Sequence, residues 1–106
     1  MDLLSTKEEL ILTSVWKLQK NAYGMAIRKE IITVTGMNWL LGSIYTPING
    51  LLKKGMLEST LGEPSPIRGG RAKVYFILTK RGIRAMAEIQ KVNKLIWQDI
   101  PSLETT

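Results

Sequence analysis

The chain has 106 residues, enough for one domain, and a formal net charge of +6 from 15 Lys and Arg against 9 Asp and Glu. It contains no cysteine and no histidine. This excludes disulfides and thiol chemistry and argues against zinc sites and most catalytic triads. No apolar run reaches the roughly 18 residues that would span a membrane. We therefore expect a cytoplasmic protein that is not an enzyme and needs no cofactor or metal.

The first two elements are predicted to be helices. Ser5 followed by Glu8 is a capping-box pattern, and the apolar residues after it predict a helix over about residues 5–20. After the turn "NAYG", the segment "MAIRKEIITVTG" predicts a second helix that ends at Gly36. Tyr23 lies in the turn, and we interpret it as a packing residue at the corner between the two helices.

The stretch "GSIYTPINGLLKKG" predicts a third helix with an unusual outer face. Ile44, Ile48 and Leu51 recur on one side of this helix, and Gly55 is predicted as its C-cap. Pro47 is interpreted as lying near the helix start, where a missing backbone donor does least harm. The opposite side lacks strong helix formers and carries Thr46, Asn49, Gly50 and Lys53.

Two strands and a last helix complete the chain. "MLESTL" and "KVYFILT" read as strands joined by the loop "GEPSPIRGGRA", and Thr79 is predicted to cap a helix over about residues 80–98. The predicted fold is mainly α with a small β-hairpin (α+β): a winged helix-turn-helix with a long C-terminal dimerisation helix. We assign residues 1–79 to the winged helix-turn-helix, 80–100 to the dimerisation helix of the same compact unit, and 101–106 to a flexible tail.

Positive charge is concentrated in one third of the chain. Residues 53–84 contain eight basic and two acidic side chains, whereas residues 1–52 carry a net +1 and residues 85–106 a net −1. Such a concentration is typical of nucleic-acid sites, with an ordinary basic surface as the alternative. A helix-turn-helix places its second helix in the major groove of DNA, so residues 1–79 are predicted to bind DNA.

Individual contacts follow from this placement. Thr46 and Gly50 would permit close approach to the duplex, Asn49 would read a base edge, and Lys53 would meet a phosphate. In the wing, Arg71 and Lys73 flank the second strand, with Arg68 nearer the tip. These three are expected on the DNA backbone or in the minor groove. Tyr45 is open to two interpretations, a phosphate contact through its hydroxyl or packing in the core.

Three segments together resemble the PadR-like transcriptional regulators, in the short subgroup with a single C-terminal helix: "NAYGMAIRKEI", "LLGSIYTPINGLLKKGMLES" and "LGEPSPIRGGRAKVYFILTKRG". The resemblance covers about residues 3–86. It implies a dimeric winged-helix protein that binds double-stranded operator DNA, generally as a repressor. It also implies that the family's recognition-helix motif corresponds to Ser43, Tyr45 and Thr46, and its wing motif to Gly69, Gly70 and Arg71. The chain departs from many members at Gly50 and Ala72.

The last helix predicts a homodimer. Ala85, Ile89, Val92 and Ile96 follow a four-three-four spacing close to a heptad seam, and Trp97 widens the apolar surface. One alternative is a ligand-gated repressor, in which a small hydrophobic or aromatic effector stacks on Trp97 at the dimer interface. Its basis is the resemblance, since some relatives bind planar aromatic compounds between their last helices. A further alternative is a winged-helix adaptor that contacts proteins instead of DNA.

Overall fold

The computed structural model describes residues 4–62 and 72–104. Within them, the elements in chain order are α1 (Thr6–Leu18), a 3-10 turn (Gln19–Asn21), α2 (Gly24–Thr35), α3 (Leu41–Lys53), β1 (Leu57–Leu61), β2 (Val74–Leu78) and α4 (Lys80–Trp97). The strands pair antiparallel as a hairpin. The predicted order and type of the elements are confirmed, and their ends differ from the prediction by one or two residues.

Local capping signals act at three helix ends as predicted. The Glu8 N–H donates to Ser5 Oγ at 3.1 Å and the Ser5 N–H to Glu8 Oε1 at 3.0 Å, which completes the capping box of α1. Gly36 ends α2 in the left-handed conformation, with φ of 72°. The Gly82 N–H donates to Thr79 Oγ1 at 3.1 Å and caps α4. These ends depend on residues close together in the chain.

A Schellman motif ends α3. The Met56 N–H donates to the Leu51 carbonyl at 3.0 Å and the Gly55 N–H to the Leu52 carbonyl at 3.1 Å. Lys54 is the C-cap, and Gly55 follows it with φ of 71°. The predicted C-cap is therefore one residue too late, although Gly55 does supply the left-handed residue that turns the chain into β1.

Pro47 lies inside α3, and its predicted place near the helix start is wrong. The helix begins at Leu41, so Pro47 is its seventh residue. Its nitrogen cannot donate to the Ser43 carbonyl, a loss that costs about 3 kcal/mol or more in ordinary helix interiors. The stability of α3 therefore depends on tertiary packing, and Ile44, Ile48 and Leu51 supply its buried side.

The turn between α2 and α3 is held by side chains from both of its ends. Trp39 is buried, and Arg28 Nε donates to its carbonyl at 2.5 Å. A second nitrogen of the same guanidinium donates to Asn38 Oδ1 at 3.1 Å. Leu40, the N-cap of α3, makes no side-chain capping bond, so Arg28 and Trp39 position the start of α3.

The core lies between the first three helices and one side of the hairpin. Its largest fully buried side chains are Ile11, Leu12, Ile27, Ile31, Ile44, Ile48, Leu51 and Met56. Phe76 of β2 is also buried, and its N–H donates to the Ala22 carbonyl at 2.8 Å. The hairpin is thereby fastened to the corner between α1 and α2, which fixes its position relative to α3.

Most of α4 lies outside this core. Its only buried residues are Gly82 and Ala85, both near its start. The radius of gyration is 15.8 Å, against about 13 Å for a compact chain of this length. Ala85 was predicted at a subunit contact, but it belongs to the core of its own chain. No helix in the described ranges is sufficiently long and apolar to cross a membrane.

An ion pair joins the start of α1 to the end of α3. Lys54 Nζ lies 2.7 Å from Glu8 Oε2, and the Glu8 residue is buried. Burial raises the pKa of Glu8, but the hydrogen bond from Lys54, the bonds with Ser5 and the Lys54 charge together bring this pKa below its ordinary value of 4.5. Glu8, predicted from sequence as part of the capping box, therefore has a tertiary role as well.

The lowered pKa predicts acid-dependent stability. Its contribution is present above the ordinary pKa of 4.5 and is lost as the pH falls through the lower folded-state value. We expect Glu8→Gln to reduce the free energy of unfolding at pH 7 by about 1–2 kcal/mol, because glutamine retains the capping acceptor but not the charge. Urea unfolding of both proteins at pH 7 and pH 3 should show this difference shrinking in acid. An equal difference at both pH values would contradict the charge-based explanation.

Candidate nucleic-acid interface

One side of α3 forms an exposed strip, which we call the α3 face. It comprises Gly42, Tyr45, Thr46, Asn49 and Lys53, all of which are exposed. Tyr45 and Thr46 are adjacent in the chain, and the other members follow at intervals of three or four residues. These positions coincide on a helix of 3.6 residues per turn. The whole of α3 contains no acidic residue, so nothing within the helix would repel a phosphate backbone.

Two residues predicted for this surface lie beside it. Ser43 and Gly50 are half-buried, and Gly50 lies against Glu8 of α1. A Cβ atom built at Gly50 would lie 3.6 Å from Glu8 Oε2, an ordinary contact distance. Gly50 thus faces the Glu8 carboxylate, and the interpretation that it gives DNA close access to α3 does not fit this position.

A shallow depression borders the α3 face at the start of the helix. It is lined by Lys7, Leu40, Gly42, Ser43, Thr46 and Pro47. Lys7 comes from α1, and its Nζ lies 5.6 Å from the centroid of the Trp39 ring. Sequence reasoning missed Lys7 because nothing local marks it, and only the packing of α1 on α3 brings it here.

The position of Tyr45 has features of both a packing residue and a residue available for a phosphate contact. A Cβ at Gly24 would overlap the Tyr45 hydroxyl, so this hydroxyl lies against the first residue of α2. The residue nevertheless remains 38% exposed. Its ring therefore packs against α2 while one edge belongs to the α3 face.

At the base of the hairpin, Lys73 is engaged within the chain. Its Nζ lies 3.9 Å from the centroid of the Tyr23 ring, a cation–π distance. Tyr23 in turn packs edge-to-face on Tyr75 at 5.7 Å and forms a bridge with it, which confirms its predicted packing role. The other predicted wing residues, Arg68, Gly70 and Arg71, lie outside the described residues.

A groove of about 480 Å³ separates α1 from α4, with Trp16, Ile83, Met86 and Ile89 among its lining. Trp97, proposed from sequence as a ligand-stacking residue, is not part of this lining. It lies one turn beyond Asn93, exposed like Ile96. Across residues 4–62 and 72–104, no group of three or more His, Cys, Asp or Glu side chains is arranged to hold a metal ion.

Comparisons of the chain with known proteins found matches among solved structures. No protein family and no curated protein matches its sequence. A PadR family transcription regulator from Clostridium difficile superposes with a TM-score of 0.72 at 22% identity, over 87% of this chain and 91% of that one. RosR from H. salinarum gives a TM-score of 0.72 at 22% identity, over 92% and 81%. A winged-helix DNA-binding protein from STIV gives 0.70 at 20% identity, over 94% and 100%.

The chain has a winged-helix fold. The predicted fold class is confirmed, and the neighbours include PadR family regulators, as the sequence resemblance implied. In this winged helix, α2 and α3 form the helix-turn-helix, and β1 and β2 form the wing strands. Identities of 20–23% establish the common fold, and the contacts made by this chain must be inferred from its own residues.

Proposed function

We propose that the chain is a dimeric DNA-binding transcriptional regulator that acts as a repressor. The observation that carries this proposal is the α3 face, an exposed strip without acidic groups on the second helix of a helix-turn-helix. Asn49 is suited to hydrogen-bond a base edge, and Lys53, one turn further along, is suited to a phosphate. In this arrangement α3 occupies the major groove and the wing lies on the backbone or in the minor groove.

The charge distribution supports the same proposal. Lys53 lies on the α3 face, and the wing segment supplies Arg68, Gly70, Arg71 and Lys73 as proposed contacts. To contact a phosphate, the Lys73 ammonium group would either move away from the Tyr23 ring or bind the phosphate while it stays on the ring. Among the structural neighbours, one is named a transcription regulator and another a winged-helix DNA-binding protein.

The dimer is proposed to form along α4. Beyond Ala85 this helix presents Ile89, Val92, Ile96 and Trp97, and its last turns lack cover from their own chain. Burying such a stripe against a second copy removes apolar surface from water and pairs two winged-helix units. Two half-sites about one helical turn of DNA apart would then be bound together.

The proposed roles of Asn49 and Lys53 predict different losses on DNA. Lys53→Ala should weaken binding to all duplexes alike and reduce the steepness of the salt dependence, because it removes a phosphate contact. Asn49→Ala should weaken the preferred site about tenfold or more and leave unrelated duplexes nearly unaffected. Fluorescence anisotropy with labelled duplex from upstream of the chain's own gene, in a salt series with unrelated competitor, measures both effects.

Lys91→Ala provides the matched control, since it removes the same charge from an exposed position on α4. This variant should bind as the unaltered protein does. Identical losses for Asn49→Ala and Lys53→Ala across all sequences would contradict the assigned roles. Absence of binding to any duplex at low salt would contradict DNA binding altogether and favour the protein-adaptor alternative.

The α1–α4 groove supports a ligand-gated repressor as a second candidate function. Its wall combines the partly exposed indole of Trp16 with Met86 and Ile89, a surface suited to a small hydrophobic or aromatic effector. An effector bound in the groove would contact Trp16 instead of Trp97. Because the groove is next to the proposed dimer stripe, such an effector would act by changing how two subunits meet.

A further inference from the structure

The depression beside the α3 face combines methyl groups with a positive charge. Leu40 lines this depression and is 70% exposed, because no other residue of the described chain covers it. Leu40 is the N-cap residue of α3, so this exposed side chain lies at the start of the candidate recognition helix. The N-terminal residues of such a helix are those that reach base edges.

Thr46 also lines the depression, and its side chain carries a methyl group. Its Oγ1 donates to the Gly42 carbonyl at 3.1 Å. The hydroxyl is therefore engaged within the helix, and the methyl is the free end of this exposed side chain. Leu40 and Thr46 thus present aliphatic carbon to the depression, beside the Ser43 residue that also lines it.

The charge around the depression indicates an anionic partner. Lys7 contributes an ammonium group to the lining. The neighbouring Glu8 carboxylate does not oppose it, because that group is paired with Lys54 at 2.7 Å. Methyl-bearing walls beside a cation match one feature of duplex DNA: thymine carries a C5-methyl in the major groove, and the phosphates are adjacent.

We propose that Leu40 and Thr46 read thymine by contact with its C5-methyl group, while Lys7 contacts a flanking phosphate. This inference rests on the proposed DNA-binding function and adds the base type that the start of α3 selects. Asn49, nearly one turn beyond Thr46, then reads a separate base pair. The preferred site is accordingly expected to contain T·A pairs opposite the start of α3 in each half-site.

Replacing thymine by uracil tests this contact directly, because uracil pairs identically and lacks only the methyl. The tightest-binding duplex is first selected from a randomised pool, and each thymine is then replaced in turn. We expect at least one replacement per half-site to weaken the unaltered protein about fourfold, the value for one methyl group removed from water. Anisotropy titrations at fixed salt give the ratio of affinities.

The protein variants identify which side chain meets the methyl. Thr46→Ser keeps the hydroxyl and loses only the methyl, and Leu40→Ala removes most of the other aliphatic side chain. Each variant should show a smaller ratio of affinities between the thymine and the uracil duplex at the base pair that its altered side chain contacts. Val34→Ala is the control: it also trims an exposed apolar residue, at 62% exposure, but from α2 and outside the depression. It should retain the full fourfold sensitivity.

The outcomes separate this inference from the function on which it rests. A protein that binds no duplex refutes the proposed function and the inference together. A protein that selects a site without T·A pairs, or tolerates every uracil replacement, binds DNA as proposed but does not read thymine methyls. Unchanged sensitivity in both Thr46→Ser and Leu40→Ala would show that other residues contact the methyl.

Discussion

Replacing Ile96 by aspartate is expected to separate the proposed dimer into monomers and to lower affinity for the proposed DNA site about a hundredfold. In a symmetric α4 contact each substitution occurs twice, so two carboxylates would enter the apolar stripe without partners. Loss of the dimer also removes the coupling between half-sites, which commonly contributes two or more orders of magnitude in affinity.

Sedimentation velocity and anisotropy on the same samples check this expectation. The chain mass of 11.9 kDa distinguishes a monomer from a dimer clearly. Lys91→Asp is the control, because it places the same side chain on α4 outside the stripe and should remain dimeric. If Ile96→Asp stays dimeric at micromolar concentration, the subunits meet through another surface. If it becomes monomeric with unchanged DNA affinity, one subunit is sufficient for binding.

Replacing Gly82 by alanine should destabilise the protein by about 2–3 kcal/mol. Gly82 is in the first turn of α4, and a Cβ there would overlap the Met56 carbonyl oxygen. That carbonyl cannot easily move, since it accepts the Thr79 N–H at 3.2 Å and the adjoining Gly55 carbonyl accepts Thr79 Oγ1 at 2.7 Å. Overpacking against fixed backbone costs on this order, and the melting temperature should fall by about 10–20 °C.

Gly50→Ala supplies the opposite result from the same chemical change. Its Cβ would lie at an ordinary 3.6 Å from Glu8 Oε2, so alanine's better helix propensity should raise stability by up to about 1 kcal/mol. Urea unfolding of both variants gives the two values. Equal effects would show that Met56 does not restrict α4. A loss of DNA affinity in Gly50→Ala, without loss of stability, would return Gly50 to the DNA-contacting surface.

Much of the candidate site was accessible from residue type and helical spacing. Tyr45, Thr46, Asn49 and Lys53 do lie on one exposed face, because positions three or four apart align on any α-helix. Lys7 and Leu40 were missed for different reasons. Lys7 reaches α3 only through the packing of α1. Leu40 stands between Trp39 and Leu41, and the composition of this apolar stretch does not reveal which side chains the fold leaves exposed.

The sequence alone determined the capping residues Ser5, Gly36 and Thr79, the two strand segments and the charged third of the chain, since each depends on residues close together. The tertiary structure decided what depends on distant partners. Arg28 and Trp39 set the start of α3 at Leu41, which places Pro47 inside the helix. The packing of α1 on α3 directs Gly50 toward Glu8. Ala85 joins its own core, because only the first part of α4 can reach it.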